Sequence, residues 1–237
     1  MDYEDDEEDT IPVREDTPAQ SSTPVATPAP PATTTTPAPA TPAAKTPAAT
    51  VTEEQIDYNA PGDAKSPGYF VISKEDMTIK ALDTKGRVIY SFPIAVGKAY
   101  GNKKVKGDMK TPEGEFTIQQ IQDASSWTHD FNDGKGVIKG AYGPWFLRLK
   151  TPGHNGIGIH GTHDPASMGT RASEGCIRLR NEDIQKLRTL AKVGMRVIIQ
   201  GSRKDAEADG VAYVAPKAAH LYATRTTPYA GPATAGG

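Results

Sequence analysis

The chain has 237 residues, with 27 basic and 29 acidic side chains, a formal net charge of −2 and a single cysteine. That length allows one or two domains. The composition excludes any intrachain disulfide, and no run of 18 apolar residues predicts a membrane-spanning helix.

The first segment, 1–16, is an acidic head: nine carboxylates stand against Arg14 alone, and no apolar h-region marks a signal peptide. From 17 to 50, 29 of 34 residues are Pro, Thr or Ala. Such a stretch buries too little apolar surface to offset the entropy of ordering it. Residues 17–66 are therefore expected to be an extended, semi-rigid linker. Beyond the head the chain holds 26 basic and 20 acidic residues. That balance suits an anionic polymer, such as a cell-wall glycan-peptide. No Arg/Lys run is interleaved with aromatics, so nucleic acid is not predicted.

Strand signals begin at Tyr69–Ile72. Met77–Leu82 and Arg87–Phe92 flank the polar turn Asp83-Thr84-Lys85-Gly86 and predict a hairpin. Residues 97–114 read as a long Gly- and Lys-rich loop. Glu115–Ile121, Trp145–Leu149 and Gly156–His160 are further expected strands, with an irregular stretch at 122–144. Ile184, Leu187 and Leu190 recur every three residues and predict a helix. Asn181 is its expected N-cap, Glu182 and Asp183 suit its dipole, and Gly194 ends it. Met195–Ile199 is a closing strand, and 202–237 is expected to be a loose tail. The sum is a mainly-β domain over 67–201, a sandwich or barrel-like sheet with one or two short helices.

The chemistry centres on Cys176 in Ser-Glu-Gly-Cys-Ile-Arg-Leu, with His160 sixteen residues upstream in Gly-Ile-His-Gly-Thr. A thiol attacks as thiolate, and a histidine that takes its proton makes an ion pair nucleophilic toward acyl carbon. Gly175 leaves room for a substrate carbonyl, and the N–H groups of Gly175 and Cys176 offer an oxyanion hole. Arg178, two residues on, faces the same way as Cys176 if the strand continues, and is placed to clamp a carboxylate. The Gly161 carbonyl can orient the imidazole, as an Asp or Asn does elsewhere. Other readings stand beside this one. A lone cysteine is often a small buried hydrophobe. His154, His160, His163, Asp164 and Cys176 are also metal-ligand types, but a closed zinc site wants four ligands and paired cysteines are missing. No metal or cofactor is expected. Trp127, His129 and His154 are read as packing residues.

The segment from Ile159 to Leu179, with His-Gly-Thr at 160–162 and Ser173-x-Gly-Cys-Ile-Arg-Leu, resembles the signature of the L,D-transpeptidase catalytic domain, the YkuD family. Thr111-Pro112-x-Gly114-x-Phe116 is similar to that family's upstream motif, and the resemblance spans about 67–201. The family version with histidine before the glycine and asparagine after is absent, since Glu174 and Arg178 occupy those places.

The resemblance implies a β-sandwich-like domain acting on peptidoglycan stem peptides. It makes Cys176 the nucleophile, His160 the base and Gly161 its orienter, with Ser173, Gly175 and Arg178 lining the site. It implies 3→3 cross-links formed through a thioester with loss of D-alanine, no cofactor, and work in the periplasm or cell envelope. Hydrolysis by the same thioester, as an L,D-carboxypeptidase or endopeptidase, attachment of an envelope protein, and a non-catalytic wall-associated role are the alternatives. The acceptor and the oligomeric state stay open.

Overall fold

The computed structural model describes residues 56–131, 134 and 136–223. The acidic head and the Pro/Thr/Ala stretch lie outside the described residues, as does the last part of the expected tail. The strands are β1 (Pro67–Ser73), β2 (Thr78–Asp83), β3 (Val88–Pro93), β4 (Val96–Gly97), β5 (Gly114–Asp123), β6 (Thr128–Asp130), β7 (Val137–Lys139), β8 (Trp145–Lys150), β9 (Gly158–His160), β10 (Arg171–Ser173), β11 (Ile177–Arg178) and β12 (Arg196–Gln200). The helices are α1 (Asn181–Leu190) and α2 (Arg203–Asp209). The hairpin between β2 and β3 turns as its residues dictate. Asp83 Oδ1 accepts the N–H groups of Lys85 and Arg87, and Gly86 takes φ +87.

One eight-stranded sheet runs in the order β11-β9-β8-β5-β12-β1-β2-β3. β1 with β12 and β9 with β11 are parallel; the other pairs are antiparallel. Just beyond β3, Ala95 exchanges two backbone hydrogen bonds with Arg178 of β11, at 2.9 and 2.8 Å. The two ends of the sheet therefore meet, and the architecture is a curled, barrel-like sheet rather than two facing ones. Ile72, Ile118, Leu147, Ile159 and Val197 fill its interior. Ile184, Leu187 and Leu190 of α1 join the same core. Each such side chain contributes about 1.5–3 kcal/mol of burial free energy.

The structure departs from the sequence reading in three places. The stretch 122–144 carries the hairpin of β6 and β7, paired from Thr128 with Lys139 to Asp130 with Val137. The cap of α1 is Arg180, and Asn181 is the first helical residue. Its side chain is committed elsewhere: Asn181 Oδ1 accepts the Thr162 N–H at 2.9 Å. Residues 202–223 are not a loose tail. Ser202 and Asp205 form a reciprocal capping box for α2, and Gly210 ends it in the left-handed region. Farther on, Tyr69 Oη donates to the Ala219 carbonyl at 2.9 Å.

α2 also completes a buried polar clasp. Lys74 Nζ meets Glu113 at 2.7 Å, Asp205 at 3.1 Å and the carbonyls of Gly101 and Thr111. Arg171 bonds both Asp205 carboxylate oxygens, at 2.9 and 2.7 Å, and the carbonyls of Gly97 and Ala99. Asp205 Oδ1 in turn accepts the Gly101 N–H at 2.7 Å. Burial pushes the Asp205 carboxyl up, but the Ser202 hydroxyl, the Gly101 N–H and Lys74 hold it below its ordinary value. The segment 97–113, which carries little regular structure of its own, is thereby tied down at both ends.

Candidate active site

The register of β9 and β11 sets the site. Ile177 stands opposite Ile159 and Arg178 opposite His160. Side chains alternate along a strand, so Ile159, Ile177 and Leu179 enter the core while His160 and Arg178 share the other face. Cys176 precedes Ile177 and falls on that face too. All three line a cavity of about 960 Å³, together with Glu174, Trp127 and His129.

The turn that presents the thiol is held from both sides. Ser173 Oγ donates to the Cys176 carbonyl at 2.5 Å and accepts the Gly175 N–H at 3.1 Å. Ser173 is buried and works inside the turn, off the cavity wall. The Gly175 N–H is thus occupied and is not an open oxyanion donor. Gly175 sits at φ +133, where a Cβ would approach the Lys110 carbonyl to 2.8 Å, so only glycine fits. Thr111 Oγ1 donates to the Gly175 carbonyl at 2.9 Å and accepts the Gly97 N–H at 2.8 Å. The threonine of the upstream Thr-Pro motif is therefore a brace beneath the cysteine turn, a role its sequence position alone does not disclose.

His160 is buried, with its ring stacked on Phe146 at 5.3 Å and met edge-on by Tyr142 at 5.0 Å. Its Nδ1 lies 2.6 Å from the Gly161 carbonyl. Nδ1 must carry the proton to donate there, which leaves Nε2 as the basic atom. Gly161 itself has no room for a side chain, since a Cβ would collide with Asn181 Oδ1. Asn181 thus fixes both the Thr162 N–H and the close approach behind the imidazole.

Burial pushes the imidazole pKa down to about 3, helped by repulsion from Arg178, His129 and His163 and opposed by the Gly161 bond. Burial pushes the Cys176 thiol up, while the Gly158 N–H, Arg178 and Arg148 pull it down. The resting pair is therefore neutral thiol and neutral imidazole. This corrects the ion pair expected from composition: a desolvated site disfavours both charges at once. The thiol donates to the Gly156 carbonyl at 3.4 Å.

Arg178 is 6% exposed. Its Nε is buried without a partner, and among the described residues its guanidinium makes no hydrogen bond. It rests against the Phe131 ring at 4.9 Å. A buried fork with unpaired donors beside a cavity has the geometry to receive a carboxylate. Trp127, His129 and His154, read from sequence as packing groups, all stand on the cavity wall. Among the described residues no group of three or more His, Cys, Asp or Glu side chains converges as a metal site would need.

A curled β sheet that sets a braced cysteine, an internally oriented histidine and an open arginine on one cavity wall defines a class of cysteine–histidine β domains. Residues 67–199 match the L,D-transpeptidase catalytic domain model, YkuD, and the chain belongs to that family. The Bacillus subtilis strain 168 protein YkuD, which carries an L,D-transpeptidase name, is 36% identical over 118 residues, covering 50% of this chain and 57% of that protein. ErfK/SrfK of Escherichia coli, also named for L,D-transpeptidase, is 30% identical over 153 residues, covering 59% of this chain and 47% of that protein. The chain thus spans about half the length of these two relatives. The catalytic domain of the E. faecium L,D-transpeptidase aligns at TM-score 0.43 and 20% identity, covering 56% of this chain and 96% of that domain.

Proposed function

We propose that this chain is a cysteine-dependent L,D-transpeptidase of peptidoglycan tetrapeptide stems, working in the cell envelope. The observation that carries the reading is the common wall of Cys176, His160 and Arg178, with His160 Nδ1 held by the Gly161 carbonyl and Nε2 left basic. Arg178 binds a stem carboxylate and sets the scissile carbonyl over Sγ. His160 Nε2 takes the thiol proton as the C–S bond forms, so the thiolate exists only with substrate in place. The same proton passes to the departing D-alanine nitrogen. The thioester is then opened by the side-chain amine of a second stem, giving a 3→3 cross-link, and the thiol is restored.

The test is incubation of the full chain with disaccharide-tetrapeptides, followed by mass spectrometry. Wild type is expected to give cross-linked dimer and an acylated Cys176. Cys176→Ala is expected to give neither, and equal dimer from that variant refutes the reading. Tripeptide without dimer in the wild type would favour the hydrolytic alternative.

A further inference from the structure

The charges on the cavity wall are uneven. Lys103, Lys106, Arg148 and Arg178 line it, and among the described lining residues Glu174 is the one carboxylate. Two of the cations are engaged locally: Lys103 pairs with Asp108 at 2.7 Å, and Arg148 Nε donates to Gln122 at 3.1 Å. Glu174 is not paired with any Lys or Arg in this way. Its hydrogen-bond partner among the described residues is His129 Nε2, at 3.2 Å. His129 Nδ1 in turn lies 3.1 Å from Tyr142 Oη. Burial, with the nearby Glu174 carboxylate, pushes the Tyr142 phenol up, so it stays protonated. His129 Nε2–H donates to Glu174, because a carboxylate only accepts. The carboxylate is therefore oriented by His129, and its other oxygen makes no hydrogen bond among the described residues. It belongs to the same turn as the thiol, two residues before Cys176.

We propose that Glu174, held by His129 and Tyr142, is a subsite for a primary ammonium group, and that its occupant is the side-chain amine of the accepting stem. A cavity rich in cations attracts stem carboxylates but repels an amine in its protonated form. One fixed negative charge beside the thioester reverses that locally and selects an amine over water; the bound ammonium releases one proton to solvent before attack, and a second passes to Sγ as the C–N bond replaces the C–S bond. The assignment of the occupant rests on the transpeptidase reading; the ammonium subsite itself does not.

Two measurements test it. In the stem assay, Glu174→Gln keeps the shape and the His129 bond but removes the charge. A charge-assisted hydrogen bond contributes about 1.5–3 kcal/mol, so the dimer-to-tripeptide ratio is expected to fall roughly tenfold to a hundredfold, through a higher acceptor KM. A ratio within twofold of wild type overturns the acceptor assignment. Independently of catalysis, binding of Nα-acetyl-lysine and of Nα-acetyl-norleucine, which lacks only the side-chain ammonium, to the full chain is followed by NMR. Wild type is expected to prefer the lysine derivative at least about tenfold, and Glu174→Gln to lose that preference. Equal affinities in wild type overturn the subsite. If wild type prefers the ammonium probe yet Cys176 is never acylated by stem peptides, the transpeptidase reading fails and the subsite stands.

Discussion

Two polar clusters flank the segment 97–113, and they differ in how their charges are met. In the clasp, Lys74 and Arg171 are matched by Asp205 and Glu113, and backbone carbonyls take up further donors, leaving only Arg171 Nε without a partner. In the cavity, the Arg178 guanidinium makes no hydrogen bond among the described residues, and Glu174 meets His129 alone there. A buried cluster whose charges are paired fixes geometry, whereas one with an unpaired guanidinium stores binding energy for a ligand. Thr111 connects the two, bonded by its carbonyl to Lys74 and by its hydroxyl to the Gly175 carbonyl.

The largest expected effect falls on the cavity. His160→Gln removes the base and should slow acylation of Cys176 by a carbapenem about 10²- to 10⁴-fold, read by intact mass over time; a loss below tenfold would mean that another group takes the proton. Next comes the clasp. Asp205→Ala leaves two buried cations without their shared carboxylate and should cost about 3–5 kcal/mol of stability, measured by denaturant unfolding. If it costs less than 1 kcal/mol, the two clusters do not differ as described. Arg178→Lys keeps the charge but loses the planar fork. It should raise the stem-peptide KM about tenfold with a smaller change in kcat, and an unaltered KM would remove Arg178 from carboxylate binding.

The two clusters should also part company in acid. In the proposed mechanism His160 is a neutral base, its pKa pushed down to about 3 by burial. The acylation rate should therefore be flat on the acid side from neutrality to about pH 4 and fall only toward 3. The clasp responds through stability. Asp205 is held below its ordinary value, and Asp209, which accepts the Asn102 N–H, sits at about 2. Depressed carboxylates contribute stability that is present above the unfolded value near ~4 and is lost as pH falls through the folded one. Thermal melts between pH 6 and 2 should show the midpoint declining below about pH 4. A midpoint constant down to pH 2 would contradict this.

Much of the fold was legible because its longer strands carry apolar, β-prone runs: Tyr69–Ile72, Trp145–Leu149 and Met195–Ile199 all lie in or beside the strands expected. The pieces of two or three residues, such as β4, β10 and β11, show no period and exist through pairing with distant partners. α2 was missed because its seven residues present no apolar face. Its signal was the Ser202-x-x-Asp205 capping box, which stood in the sequence unused. Cys176 and His160 announced themselves by motif. Their protonation did not, since it depends on Phe146, Tyr142 and Arg178 converging from separate elements. Glu174 was visible as a departure from one family pattern, but its partner His129 comes from a hairpin that had no readable alternation.

The family match stops at residue 199, yet the carboxylate that satisfies Lys74 and Arg171 sits at 205. Anyone trimming this protein for crystallography or engineering by domain boundaries alone would cut between a lock and its bolt. A truncation after Tyr222, retaining both α2 and the Tyr69 contact, is the shorter form expected to keep the cysteine turn in shape.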